Sequence, residues 1–213
     1  MNFILLLIMN GYVNTAIIDG KEVFVDEYIE QNGDKLHRYG EGVDQAILYR
    51  GDSDEVKYKG DVSNNEFTGF GETYDDDGKL YFRGHFVNGD FEGYGCLFKS
   101  DGDLEYNGYF KNCEFDGTGT FYPDHDENGD TASTDGLFYI EGPNYYKYVG
   151  DFKYGERNGS GKEYNESGQL LFVGDFKDDE RHGLGATYDL KTGKPIGTHT
   201  WENGQLLLKN MEA

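Results

Sequence analysis

The sequence predicts an all-β fold in which stacked β-hairpins form an elongated, single-layer antiparallel sheet. The first observation is the composition: 32 glycines, 18 tyrosines and 15 phenylalanines accompany only 3 prolines in 213 residues. Aromatic residues favour strands, whereas glycine disfavours helices and marks turns. The second observation is a repeat of 24 residues, and the third is a hairpin pattern inside each repeat.

A Tyr/Phe-x-Gly unit recurs along the chain at a fixed interval. The steps between its glycines are 24, 24, 42 and 24 residues, and the glycines are Gly60, Gly84, Gly108, Gly150 and Gly174. The one long step equals a repeat plus an 18-residue insertion. A Gly-x-Gly pair and then an aromatic residue follow each unit with the same steps. Three patterns that stay in phase predict a repeat architecture.

The second repeat, FRGHFVNGDFEGYGCLF, shows how each unit is expected to fold. Phe82, Gly84 and Phe86 alternate with other residues, which predicts one face of a strand. The Asn-Gly pair at 88–89 suits a tight hairpin turn, because such a turn needs positive φ angles. The return strand carries Gly-x-Gly at 93–95. Glycine weakens a strand unless the space is needed, so we expect an aromatic ring to lie over these glycines.

A single hairpin buries too little surface to be stable, but stacked hairpins bury one another. The repeat therefore predicts two ladders of stacked side chains. The first ladder is Tyr58, Phe82, Tyr106, Tyr148 and Phe172. The second ladder is Val62, Phe86, Phe110, Phe152 and Phe176.

The pattern Tyr/Phe-x-Gly-x-Phe-x-x-Gly, followed by x-Gly-x-Gly, closely resembles the MORN repeat (membrane occupation and recognition nexus). The resemblance covers residues 58 to about 191 as five repeats, in a region that we place at 58–196. The insertion falls at about 124–147. The resemblance implies protein partners and, in some members, self-association, so a homodimer is one expectation. It also implies, as an alternative, peripheral attachment to membrane phospholipids.

Four positions depart from the MORN pattern. Val62 stands where the family usually has an aromatic residue, and Asn65, Cys113 and Asp179 stand in place of the turn glycine. These departures affect the geometry of the turns and leave the pattern recognisable.

The regions that flank the repeats follow the same pattern less regularly. Residues 1–57 contain Asp-Gly and Asn-Gly pairs at 19–20 and 32–33, which predict degenerate hairpins that extend and cap the same sheet. Residues 197–213 contain a frayed last copy, as expected for a terminal cap. Because no linker composition separates these regions, we expect one elongated domain.

The N-terminal segment Phe3–Met9 (FILLLIM) is apolar but too short to span a bilayer. We interpret it as a buried or capping strand, with a secretory signal as the alternative. The chain has only two cysteines and no disulfide framework, which is typical of a reducing compartment. We therefore expect a cytoplasmic protein.

The net charge of −22, from 41 acidic and 19 basic residues, limits the classes of partner. Nucleic-acid binding needs a basic surface, so we expect none. Anionic membranes would repel the chain unless a local basic patch overrides the total. A basic protein partner, or solubility alone, accounts for the charge.

Catalytic motifs are absent from the sequence. The five histidines show no metal-ligand spacing, and the Gly159–Lys162 segment lacks the first glycine and the Ser/Thr of a phosphate-binding loop. The Gly-x-Gly pairs lack the third glycine of a dinucleotide-binding fingerprint. We therefore expect a protein that is not an enzyme.

The position two residues before each Gly-x-Gly pair supplies the candidate binding surface, and we call this set the variable row. It consists of Phe67, Phe91, Phe115, Arg157 and Arg181. A single-layer sheet leaves aromatic surface partly exposed, and such surface usually marks an interaction site. The row predicts a groove that seats an amphipathic segment with acidic residues at one end, and hence a scaffold for protein–protein interaction. The alternative is that the row only packs between hairpins.

The insertion begins PDHDENGDTASTDG and resembles the calcium loop of EF-hands. Its oxygen donors alternate around Gly129, and the candidate ligands are Asp124, Asp126, Asn128, Asp130 and Asp135. A weak calcium site here would make partner binding calcium-dependent. The alternative is a solvated acidic turn, and we expect no other cofactor.

Overall fold

Every secondary-structure element that the computed structural model describes is a β-strand. The chain divides into two compact units, residues 1–103 and 104–213. Within the described part of the chain, no helix is long and apolar enough to cross a bilayer. The described residues are 5–6, 15–18, 21–24, 26–29, 33–39, 44–51, 53–64, 66–125, 131–132 and 146–207.

The first unit contains two antiparallel sheets among its described residues. Strands β4–β10 pair in chain order as one sheet, whereas β1–β3 form a separate sheet. The strands are β1 (Leu5–Leu6), β2 (Thr15–Ile18), β3 (Lys21–Phe24), β4 (Asp26–Ile29), β5 (Lys35–Tyr39), β6 (Gln45–Tyr49), β7 (Val56–Ser63), β8 (Glu66–Tyr74), β9 (Leu80–Val87) and β10 (Asp90–Phe98). The region before the repeats thus contributes β4–β6 to the repeat sheet and β1–β3 to a sheet of its own.

The second unit has the same construction. Strands β11, β12 and β15–β20 pair in chain order, and β13 pairs with β14 inside the insertion. The strands are β11 (Leu104–Lys111), β12 (Glu114–Phe121), β13 (Asp124–His125), β14 (Thr131–Ala132), β15 (Lys147–Lys153), β16 (Glu156–Tyr164), β17 (Leu170–Lys177), β18 (Glu180–Tyr188), β19 (Pro195–Glu202) and β20 (Gln205–Leu207). The prediction of an all-β fold of antiparallel hairpins is confirmed in both units.

Part of the N-terminal prediction lies outside the described residues. Of the apolar segment Phe3–Met9, the structure describes only Leu5–Leu6, as strand β1. The remaining residues of that segment are not among those described.

Aromatic rings of the first ladder lie over pairs of strand glycines, as the sequence predicts. Tyr58 is 1% exposed, and its ring covers Gly60 and Gly71, which are directly paired across β7 and β8. A Cβ atom on Gly71 would lie 2.6 Å from a carbon of the Tyr58 ring. Such a distance is shorter than any normal contact, so only glycine allows the ring to approach the backbone. The other first-ladder rings, which cover glycines in the same way, are Phe82, Tyr106, Tyr148 and Phe172.

The second ladder is buried against the first. Phe86 is 2% exposed and meets Phe82 edge to face, with ring centroids 5.2 Å apart and planes at 89°. Edge-to-face contact between aromatic rings is favourable beyond the area that it buries. Val62 takes the same buried position in the first repeat, and Phe110, Phe152 and Phe176 take it in the second unit.

The hairpin turns have the positive φ angles that a two-residue turn requires. Asn88 and Gly89 have φ angles of 51° and 89°. Cys113 and Asp179 have φ angles of 66° and 65° without being glycine, which is an unfavourable backbone conformation for a residue with a side chain. The third departure, Asn65, lies outside the described residues.

Candidate functional site

The variable-row residues of the first unit stack on the first ladder. Phe67 stacks on Tyr58 with ring centroids 3.7 Å apart and planes at 10°, and Phe91 stacks on Phe82 at 3.7 Å and 7°. Both rings also meet Phe86 edge to face. Phe67 and Phe91 are half-buried, so each ring packs against the hairpins and still contributes surface.

An open groove of about 550 Å3 lies at these two rings. Half of its ten lining residues are aromatic, and three others have polar side chains. The lining residues are Leu48, Lys57, Tyr58, Glu66, Phe67, Thr73, Tyr74, Tyr81, Gly89 and Phe91. A largely apolar concavity with few polar groups is the usual form of a binding site.

Backbone hydrogen bonds from the turns hold the variable row in place. The amide of Gly89 donates to the carbonyl oxygen of Phe67 at 2.9 Å, which joins a turn to the row residue of the preceding hairpin. The second unit repeats this bond at 3.0, 3.2 and 3.1 Å, from Gly155 to Phe115, from Asp179 to Arg157 and from Gly204 to Arg181. Backbone hydrogen bonds therefore position these row residues in addition to the stacking of their side chains.

Tyr74 contributes a polar group to the groove. Its hydroxyl donates to Glu72 Oε2 at 2.7 Å, and Arg83 Nε donates to Glu72 Oε1 at 2.7 Å. Burial and then the hydrogen bond to Glu72 raise the pKa of Tyr74 to about 12. Burial acts to raise the pKa of Glu72, but the hydrogen bonds from Tyr74 and Arg83 outweigh it and lower that pKa. At neutral pH the phenol is therefore neutral and the carboxylate ionised.

In the second unit the variable row begins with another aromatic stack. Phe115 stacks on Tyr106 with ring centroids 3.9 Å apart and planes at 12°. Phe110 and Phe152 meet Phe115 edge to face at 5.5 and 5.7 Å. This hairpin thus repeats the aromatic packing that the first unit shows at Phe67 and Phe91.

The two arginines of the row take the stacking position of the phenyl rings. The guanidinium carbon of Arg157 lies 5.4 Å from the centroid of the Tyr148 ring, and that of Arg181 lies 4.5 Å from the centroid of Phe172. Trp201 flanks Arg181 at 5.1 Å. Guanidinium groups stack favourably on aromatic faces, so the ladder accepts either group.

Two carboxylates neutralise these arginines. Glu163 is 3% exposed; its Oε1 accepts a hydrogen bond from Arg157 Nη1 at 2.9 Å, and its Oε2 accepts one from Arg181 Nε at 2.8 Å. Asp179 Oδ1 accepts from the backbone amide of Arg157 at 2.9 Å and from its Nε at 3.3 Å. The sequence indicates a basic end of the row, but these four side chains together carry no net charge. Glu163 is not among the candidate residues that the sequence predicts.

Glu163 occupies a position that other repeats fill differently. In each repeat an aromatic residue follows the Gly-x-Gly pair, and the position of interest comes directly before that aromatic residue. In the five repeats, in order, this position is Thr73, Leu97, Phe121, Glu163 and Thr187. Thr73 lies opposite Tyr58 in the register of β7 and β8, just as Glu163 lies opposite Tyr148 in β15 and β16. The two residues therefore have equivalent places in their hairpins.

The difference between threonine and glutamate explains why the first unit has a groove. Glu163 reaches across to both arginines and fills the space between two row residues. Thr73 is too short to do so, and the corresponding space between Phe67 and Phe91 stays open. The signal in the sequence is therefore the size of the residue at this position.

The predicted calcium loop falls almost wholly outside the described residues. Asp124 is described and pairs with Ala132 across β13 and β14, whereas Asp126, Asn128, Asp130 and Asp135 are not among the described residues. Within the described ranges, no group of three or more His, Cys, Asp or Glu side chains is arranged to hold a metal ion. Calcium binding stays a prediction.

A model of the MORN-repeat family matches residues 58–79, 82–104, 148–169 and 172–186. The chain carries MORN repeats. The four matches fall on the hairpins β7–β8, β9–β10, β15–β16 and β17–β18. The β11–β12 hairpin lies between the matches and shows the same packing of an aromatic ring over two glycines.

MORN repeats generally serve as modules for protein or membrane interaction. A search of curated proteins found no match to the chain. The family thus supplies the class of function, and the groove supplies a candidate surface for it.

Proposed function

We propose that the chain is a non-catalytic interaction module whose MORN repeats bind a segment of a protein partner in the groove of the first unit. The observation that carries this proposal is the open groove of about 550 Å3 at the half-buried rings of Phe67 and Phe91. Aromatic side chains in a concave site are typical of the residues that dominate binding energy. Because the amide of Gly89 already holds the backbone of Phe67, binding orders little additional structure there.

The size of the groove favours a short segment over a folded domain. Its volume lies in the range of sites that enclose small ligands, so it accommodates a few side chains at once. An amphipathic segment presents such a set of apolar side chains on one face. We propose that these side chains stack on Phe67 and Phe91.

Charge and cysteine chemistry support a protein partner in a reducing, cytoplasmic setting. A net charge of −22 opposes binding to anionic lipid, so vesicles that contain phosphoinositides should not carry the chain in flotation. Cys96 and Cys113 are both free thiols. Free thiols are usual where disulfides do not persist.

The variant Thr73→Phe tests the groove with little risk to the fold. Phenylalanine is the native residue at the equivalent position of the third repeat, where Phe121 lies 6.0 Å from Phe115. In the first unit, the added ring should fill the space between Phe67 and Phe91. The matched control is Thr187→Phe, which makes the same change in the second unit at a position that does not line the groove.

The assay selects a random-peptide library displayed on phage against the full chain. The expected result is a set of peptides that bind Thr73→Phe at least about tenfold more weakly than the unmodified chain, and bind Thr187→Phe normally. Peptides that all bind Thr73→Phe as well as the unmodified chain would contradict the proposal.

A further inference from the structure

Glu66 places an unbalanced negative charge in the lining of the groove. It begins strand β8 opposite Ser63, and its side chain is exposed. Among the described residues it forms no ion pair and no side-chain hydrogen bond. The groove also contains Lys57, but the Nζ of that lysine already pairs with Asp34 Oδ2 at 2.5 Å. The groove therefore combines aromatic faces with one available carboxylate.

The second unit shows which group such a combination binds. Arg181 lays its guanidinium 4.5 Å from the centroid of Phe172 and donates to Glu163 at 2.8 Å. Arg157 likewise lies over aromatic rings and donates to Asp179. In both cases a guanidinium lies on an aromatic face and a carboxylate accepts from its edge. Arginine suits this arrangement because its planar group stacks and donates at the same time.

We propose that the groove selects a basic segment and binds one of its arginines, with the guanidinium on the ring of Phe67 or Phe91 and paired with Glu66; this inference rests on the proposed function. The chain's own arginines occupy row positions in the second unit, where each lies on an aromatic face and pairs with a carboxylate. A partner arginine in the groove makes the same two kinds of contact in the first unit. The variable row predicts a segment with acidic residues at one end. In this groove, however, acidic residues would be repelled by Glu66 and by a chain of net charge −22. A lysine would pair with Glu66 but would lack the planar face for stacking.

Charge complementarity also predicts that the groove prefers basic segments to acidic ones. Like charges that face each other in an interface oppose binding, whereas complementary charges set specificity and speed association. An exposed carboxylate beside apolar rings thus discriminates between basic and acidic segments that share the same apolar side chains. Glu66 is the residue that makes this discrimination.

The experiment uses the peptides that the library yields, after sorting for sensitivity to Thr73→Phe. Arginine should be enriched among them. One such peptide is synthesised with its arginine intact, and again with citrulline, which keeps the planar shape but lacks the charge. Fluorescence anisotropy then measures the binding of both peptides to the full chain and to Glu66→Gln. The control variant is Glu114→Gln, an exposed residue at the equivalent position of the third repeat that lies outside the groove lining.

The expected effect requires both Glu66 and the arginine of the peptide. Glu66→Gln should weaken binding of the arginine peptide about tenfold and leave binding of the citrulline peptide nearly unchanged. Glu114→Gln should bind both peptides normally. If groove-dependent peptides show no preference for arginine, or if Glu66→Gln binds the arginine peptide normally, the selection of arginine is wrong and the groove function stands. If no peptide is sensitive to Thr73→Phe, the proposed function fails and this inference fails with it.

Discussion

The guanidinium carbon of Arg181 lies 4.5 Å from the centre of the Phe172 ring. In the second repeat a phenyl ring takes the equivalent position, because Phe91 stacks on Phe82 at 3.7 Å. The same scaffold therefore accepts a planar cation or an apolar ring as the stacking partner. The cation needs a buried counter-charge in addition, and Glu163 supplies it.

Glu163→Gln should destabilise the second unit by roughly 3 kcal/mol, because it leaves buried Arg157 and part-buried Arg181 without their shared counter-charge. Urea unfolding followed by the fluorescence of Trp201, the one tryptophan of the chain, reports directly on this region. The control is the exposed Glu114→Gln, which should change the free energy of unfolding by less than about 0.5 kcal/mol. Equal effects of the two variants would contradict the role of Glu163.

Replacing the whole network should restore stability. A variant with Arg157→Phe, Glu163→Thr, Asp179→Gly and Arg181→Phe installs the residues that the first unit has at these positions. Exchange of a buried ion network for well-packed apolar side chains is often neutral or stabilising. We expect an urea midpoint at or above that of the unmodified chain. A variant less stable than Glu163→Gln alone would show that the two units do not share one packing scheme.

Gly71→Ala should cost about 2 to 3 kcal/mol, because the new methyl group would overlap the ring of buried Tyr58. Most of this cost should disappear when Tyr58→Ala is combined with it. Gly78→Ala is the comparison, because Gly78 has open space around it and its φ of 73° is the only source of strain. Its cost should be the same with and without Tyr58. Urea unfolding followed by circular dichroism measures all of these free energies, and equal coupling of both glycines to Tyr58 would contradict the account.

Cys113→Gly should be more stable than Cys113→Ala by about 1 kcal/mol. The φ of Cys113 is 66°, which glycine adopts without strain and alanine does not. The alanine variant is the control, since it also removes the thiol. Thermal unfolding of the two variants side by side checks the prediction, and a glycine variant that melts at or below the alanine variant would refute it.

The titration of Tyr74 should lower the stability of the folded protein in alkaline solution. Its pKa in the folded chain is about 12, because burial and the hydrogen bond to Glu72 raise it from the ordinary value of 10.0. The unfolded chain loses this proton near pH 10 while the folded chain keeps it, so the contribution of Tyr74 is complete below pH 10 and declines as the pH rises toward 12.

Tyr74→Phe should reduce this alkaline decline. Phe98 is the native residue at the equivalent position of the second repeat, so the fold accepts the change. Urea midpoints below pH 10 and at about pH 11 give the decline for each protein, and the other tyrosines contribute equally to both. A decline of the same size in the variant would show that Tyr74 does not couple to folding.

The sequence predicts the packing of the repeats because that packing is periodic. The alternation of Phe82, Gly84 and Phe86, combined with a Gly-x-Gly pair in the return strand, has one arrangement that relieves the cost of strand glycines. That periodicity does not extend to β1–β3, whose residues lack the repeat and form a separate sheet. Periodicity specifies what recurs and says little about what differs.

The groove itself depends on residues that break the period. The groove is open because the side chain of Thr73 is short. A short polar residue within a strand does not by itself predict a cavity. Glu163 does leave a trace, because it is the one acidic residue at a position otherwise held by threonine, leucine or phenylalanine. The hydrogen bond between Asp179 and Arg157 of the preceding hairpin depends on how the two hairpins are aligned, and only the structure shows that alignment.

Turn amides donate to the backbone carbonyl oxygens of Phe67, Phe115, Arg157 and Arg181, and every amino acid has such a group. Because these bonds do not use side chains, evolution can substitute the row residues one repeat at a time. A duplicated hairpin would arrive with its own turn and therefore with its own anchored position. Randomising the row while the turns are kept would give protein engineers a collection of grooves with different recognition on a single backbone.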